Sequence, residues 1–139
     1  MSAKNIYHNA VIHALVADGW TITHDPLTLS YGGRDLFVDL GAERGAIGAE
    51  KSGKRIAVEI QSFLSLSAVR DLEQAVGQYE IYRTLLEKTE PDRLLYLAVP
   101  RRVHEGILTE PFGQLIVSSM GLRVLVFSED EEKVIQWTN

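Results

Sequence analysis

Apolar residues at Ile6, Tyr7, Ala10, Val11, Ala14 and Leu15 recur three and four positions apart, so the spacing predicts a helix over 3–18 with one greasy stripe. Ser2 is placed to cap its start and Gly19 to end it. THDPLTLSYGG, residues 23–33, reads as extended chain and turn, with Pro26 steering Asp25 away from helix. From Asp35 the period changes to two. DLFVDL (35–40) puts Leu36, Val38 and Leu40 on one face and Asp35, Phe37 and Asp39 on the other. AIGAE (46–50) is a short run of small residues, and RIAVEIQS (55–62) sets Ile56, Val58 and Ile60 against Ala57, Glu59 and Gln61. Between them KSGK (51–54) predicts a tight hairpin turn, with Gly53 able to take a positive φ. The three runs together predict an antiparallel meander. Its greasy face carries Leu36, Val38, Leu40, Ile47, Ala49, Ile56, Val58 and Ile60. Its mixed face carries Asp39, Gly48, Glu50, Ala57, Glu59 and Gln61.

Residues 67–88 predict the longest helix, because Leu72, Ala75, Val76, Tyr79, Tyr82 and Leu86 form a broad apolar stripe that stops before Pro91. LLYLAVP (94–100) is apolar without alternation, the mark of a strand covered on both faces. RRVHEGIL and PFGQLIVSSMG, residues 101–108 and 111–121, predict two short helices. LRVLVF (122–127) predicts another buried strand and KVIQWT (133–138) an edge strand. The order α-β-β-β-α-β-α-β implies an α/β (α+β) fold: a mixed sheet with an antiparallel meander, flanked by helices on both faces. Alternation leaves open whether helix 67–88 packs on the greasy meander face or beside it.

The length of 139 residues, without repeat or linker, fits a single domain over 1–139. The absence of cysteine excludes disulfides and thiolate metal sites and fits a cytoplasmic location. The N-terminus lacks the apolar run of a signal peptide, and no segment is long and apolar enough to span a bilayer. A formal net charge of −5 argues against polyanion binding by the whole surface, while leaving a local basic patch or a basic partner open.

The candidate chemistry lies on the mixed face. If KSGK centres its hairpin between Ser52 and Gly53, Ala46 faces Glu59; a turn near Gly41–Arg44 then sets Asp39 opposite Ala46. Asp39, Glu59 and Gln61 would converge, and two carboxylates plus a backbone carbonyl are what Mg²⁺ takes from a protein. Gln78 and Tyr82 lie at i, i+4 on one helix face. The bland reading is equally simple: Asp39 and Glu59 as the wet face of a half-exposed sheet, Gln78 and Tyr82 as surface and core. His13 and His24 have no metal-ligand spacing, and His8, on the first helix, reads as a surface or capping group with a site role as the alternative. Arg101 and Arg102 read as a solvated helix start or a phosphate clamp, and Arg34, Lys51, Lys54 and Arg55 lie near the meander turns, within reach of backbone phosphates. No helix-turn-helix or zinc finger is present to read bases.

Asp39 followed by Glu59-Ile60-Gln61 on the strand after a hairpin resembles the PD-(D/E)XK nuclease superfamily, and Gln78 with Tyr82 resembles the QxxxY pattern of its RecB-like branch. Over nearly the whole chain, ALVADGWTITHDPLTL, FVDLGAE, AVEIQSF, DLEQAVGQYEIYR and EPDRLLYLAVP resemble the XisH family of fdxN-element excision controlling factors from cyanobacteria. The resemblance implies a restriction-endonuclease-like αβββαβ core. It implies Asp39, Glu59 and the Ile60 carbonyl as ligands of Mg²⁺ or Mn²⁺, with Gln78 and Tyr82 flanking. Gln61 stands where the superfamily usually has Lys, and a neutral amide donates a hydrogen bond without charge. Val38 replaces the proline before the aspartate, and Glu50 either adds a carboxylate or pairs with Arg55. The implied function is programmed DNA excision, with an XisI-like companion and DNA as partners and self-association left open. Two readings follow: a metal-dependent endonuclease, or an inactive regulatory subunit that docks a protein partner.

Overall fold

The computed structural model describes residues 3–45 and 53–138. In chain order they form α1 (Ala3–Ala17), β1 (Thr21–His24), β2 (Leu27–Tyr31), β3 (Arg34–Val38), β4 (Leu40–Arg44) and β5 (Lys54–Ile60). There follow α2 (Ala68–Thr89), β6 (Arg93–Pro100), α3 (Arg101–Glu105), a 3-10 turn (Ile107–Thr109), α4 (Pro111–Met120), β7 (Val124–Ser128) and β8 (Lys133–Thr138). Six strands make one mixed sheet in the order β1-β4-β5-β6-β7-β8. β5, β6 and β7 run parallel, while β1, β4 and β8 are antiparallel to their neighbours. β2 and β3 form a separate two-stranded sheet.

Two cores sandwich the six-stranded sheet. On one side the α1 stripe, with Val11, Ala14 and Leu15 fully buried, packs on Leu40, Ile56, Val58, Ile60, Leu125 and Phe127. On the other, Leu72, Ala75, Tyr79 and Leu86 of α2 pack on Ala57, Leu95, Leu97, Val99, Val124 and Val126. This explains the unbroken apolar runs of β6 and β7: odd and even residues each meet a core. Each fully buried Leu or Val contributes about 1.5–3 kcal/mol over its exposed state. Tyr79 anchors α2 more specifically, donating to the Leu95 carbonyl at 3.2 Å and accepting from the Arg123 N–H at 3.1 Å. Ser67 caps α2 by accepting the Arg70 N–H at 3.2 Å. Burial pushes the Tyr96 phenol above its ordinary range, against the opposing pull of Arg123.

The meander differs from its sequence expectation. LTLSY is itself a strand, β2, and closes on β3 through Gly32 and Gly33, whose φ of 59° and 81° suit the two-residue turn that right-twisted strands require. DLFVDL is not one strand. Val38 faces the α2-side core and Leu40 the α1-side core, so the chain changes sheets at Asp39. β4 is LGAER, Leu40–Arg44, and it pairs directly with β5. The predicted strand 46–50, the Ser2 cap and Glu50 lie outside the described residues. Gly53 is required by space rather than by φ: an added Cβ would overlap the Arg44 carbonyl oxygen and approach the Gly45 oxygen to 2.8 Å. The greasy face of β5 is covered by α1, so α2 lies over the mixed face, neither on the greasy face nor beside it as expected.

Candidate functional site

At the sheet change the chain must satisfy groups that a regular ladder would have paired. β4 and β5 pair as Leu40↔Val58 and Gly41↔Ala57, and one step further that register sets Asp39 directly across from Glu59. The two residues lock each other. The Asp39 N–H donates to Glu59 Oε1 at 3.1 Å, and the Ile60 N–H donates to Asp39 Oδ2 at 2.8 Å. Both carboxylates are buried, Asp39 at 5% exposure and Glu59 at 4%. Ala46 is therefore not needed as an intermediary, and the expected register, one strand wider, is corrected: the acids are neighbours across a single strand pair.

Glu59 shares the parity of Ala57 and so belongs to the α2 side of β5. Past the strand end, the Gln61 N–H donates to the Ala98 carbonyl at 2.9 Å, which holds its side chain on that same side. Gln61 Nε2 donates to Gln78 Oε1 on α2 at 2.5 Å. The following loop is pinned by Arg102, whose guanidinium donates to the Ser62 carbonyl and, at 3.0 Å, to the Phe63 carbonyl. The result is a cleft of about 240 Å³ lined by Glu59, Ile60, Gln61, Ser62, Gln74 and Gln78. It opens at the carboxyl ends of the parallel strands β5 and β6, where open α/β sheets bind ligands.

The donor set suits a hard divalent cation. It offers two carboxylates and one main-chain carbonyl, since the Ile60 C=O points to the same strand edge as the N–H that Asp39 accepts. Among the described residues, the cleft lining contains no Lys, Arg or His. Among the described residues, no group of three or more His, Asp or Glu stands ready to hold a metal through side chains alone.

Comparison with known proteins gives the chain a family. The sequence profile of the family described as XisH protein matches residues 1–135. The chain belongs to the XisH family. An XisH family protein from Nostoc punctiforme, solved by crystallography, is 37% identical and superposes with a TM-score of 0.88, over 96% of this chain and 99% of that one. The crystal structure of an fdxN element excision controlling factor protein from Anabaena variabilis is 40% identical with a TM-score of 0.86, over 97% and 99%. No curated protein matches.

In this XisH-family chain the fold brings together Asp39, Glu59, Ile60, Gln61 and Gln78. Tyr82, one turn beyond Gln78, packs in the α2-side core at 8% exposure and does not line the cleft. Two of the four histidines are engaged elsewhere: His8 Nε2 meets Asp25 Oδ1 at 2.7 Å and His13 Nδ1 meets Glu132 Oε1 at 2.8 Å. Arg55 pairs with Glu90 at 2.6 Å and with Glu43 at 3.6 Å. Gln74 joins the cleft without having been singled out in the sequence; its signal was the i, i+4 spacing to Gln78 on one helix face.

Proposed function

We propose that this protein acts in the control of element excision, the role named for its Anabaena variabilis relative, through a PD-(D/E)XK-like site that hydrolyses phosphodiester bonds with Mg²⁺ or Mn²⁺. The observation that carries the reading is Asp39 directly across from Glu59, which lines the cleft, each carboxylate accepting a main-chain N–H. Asp39, Glu59 and the Ile60 carbonyl would hold the cation. When bound, such an ion makes hydroxide available at neutral pH and offsets charge at the phosphoryl centre.

The chain's own groups do the rest. The mutual N–H bonds fix both carboxylates before any ligand arrives, which lowers the ordering cost of binding. Gln61, tethered to Gln78 at 2.5 Å, has a second amide hydrogen and a carbonyl oxygen to orient a water or a phosphoryl oxygen. It donates without adding positive charge, so transition-state stabilisation is weaker than a lysine would give.

A second reading rests on that same feature. With Gln61 in the lysine position and no cationic side chain among the described residues of the lining, the fold suits a regulatory subunit that docks an XisI-like companion through an acidic surface. Plasmid DNA incubated with the protein and Mg²⁺ or Mn²⁺, with and without such a companion, separates the two. The endonuclease reading expects nicking that Asp39→Asn and Glu59→Gln abolish. Absence of nicking in every condition would leave the regulatory reading.

A further inference from the structure

A larger cleft lies at the opposite end of the sheet, beside the amino ends of β5 and β6. Six residue steps along β5, at about 3.3 Å each, separate it from Ile60 by about 20 Å. Its volume is about 620 Å³, inside the range of about 300–1,000 Å³ typical of small-molecule sites. Three aromatic side chains wall it: Trp20, Tyr96 and Trp137. The indoles of Trp20 and Trp137 stand 5.6 Å apart at 41°, and Tyr96 meets Trp137 edge-on at 4.9 Å. Leu94 adds an apolar surface that is 41% exposed.

The charges on this wall run against those of the protein. Arg44, Lys54 and Arg55 line the cleft with Asp92 as the acid, in a chain whose formal net charge is −5. Arg55 is committed to Glu90 at 2.6 Å. Arg44 lies over the Trp20 ring at 4.7 Å and 3.6 Å from Asp18, with its side chain still partly exposed. Lys54 is exposed and has no carboxylate within pairing distance among the described residues. The Trp20 Nε1–H is buried without an acceptor among the described residues, an uncommon state for an indole. The partly exposed Trp137 and Leu94 offer a planar group an apolar surface, and Lys54 offers an anion an unspent cation.

We propose that this cleft binds a nucleotide, with the base against Trp137 and Leu94 and the phosphate at Lys54. The ligand is either a free mononucleotide or a nucleotide at the end of a DNA strand; the chemistry is shared. The site is separate from the Asp39–Glu59 cleft and stands without it.

The two tryptophans of the chain both wall this cleft, so their emission reports on it directly. Full-length protein in EDTA is titrated with AMP, adenosine, inorganic phosphate and a short 5′-phosphorylated single-stranded DNA. Saturable quenching by AMP assigns a free nucleotide, and quenching by the DNA alone assigns a strand end. Adenosine, lacking the phosphate, binds about tenfold more weakly, and Lys54→Glu weakens AMP or DNA about tenfold, the loss of one charge-assisted contact. Lys54→Arg restores binding, and Asp39→Asn leaves it unchanged even if no DNA cleavage is ever found. No quenching by AMP or DNA, or equal affinity for AMP and adenosine, or Lys54→Glu as tight as wild type, overturns the proposal.

Discussion

Asp39→Ala and Asp39→Asn separate the two things Asp39 does. Its Oδ2 accepts the Ile60 N–H at 2.8 Å inside the protein. Alanine removes the acceptor and leaves that donor buried, at a cost of about 1–3 kcal/mol. Asparagine keeps an oxygen in the same position, so its stability stays within about 1 kcal/mol of wild type. For a domain of this size 1 kcal/mol moves Tm by about 4 °C. In EDTA, Asp39→Ala therefore melts roughly 4–12 °C lower, and Asp39→Asn within about 4 °C of wild type. With Mn²⁺ tenfold above its Kd, the wild type gains about 1.4 kcal/mol, or about 6 °C, and neither variant gains it. Differential scanning calorimetry on the three proteins, with and without metal, reads both effects. The reasoning fails if Asp39→Asn loses as much stability as Asp39→Ala in EDTA, or if it keeps the metal-dependent rise.

Gln61→Lys keeps a donor to Gln78 Oε1 and adds the missing charge, so plasmid nicking rises about tenfold or more; an unchanged rate argues that charge at this position is not limiting. Tyr79→Phe deletes the hydroxyl that bridges Leu95 and Arg123, and chemical denaturation registers a loss of about 1–3 kcal/mol. Burial raises the Tyr96 phenol, so its contribution is complete below the unfolded value of about 10 and is lost as pH climbs through the folded one. Tyr96→Phe accordingly flattens the alkaline arm of the stability–pH curve, and an unchanged arm contradicts the assignment.

The long helices and the apolar strands were legible because period and burial agree: α2 spans Ala68–Thr89 where the stripe from Leu72 to Leu86 predicts it. The meander was not. Leu36, Val38 and Leu40 alternate perfectly, yet Val38 and Leu40 face different cores because the chain changes sheets between them. Alternation records which side of a strand a residue takes, and carries no mark of where one strand ends and another continues its period. The partnership of Asp39 and Glu59 was foreseen through a register one strand too wide. It holds more tightly than expected because β4 pairs with β5 directly. Gln74 was missed since a glutamine on a helix surface is ordinary until the opposing strand is known. The aromatic cleft was illegible because Trp20 and Trp137 lie 117 positions apart, the difference of their numbers, and meet only through sheet order.

The account depends on one cation shared by Asp39, Glu59 and Ile60. A crystal of the protein soaked in Mn²⁺ and measured at the manganese absorption edge tests it most directly. The expected result is an anomalous peak between the two carboxylates, about 2.0–2.3 Å from an oxygen of each and from the Ile60 carbonyl, and absent from Glu59→Gln crystals. A map with no peak there, or with manganese bound only elsewhere on the surface, contradicts it.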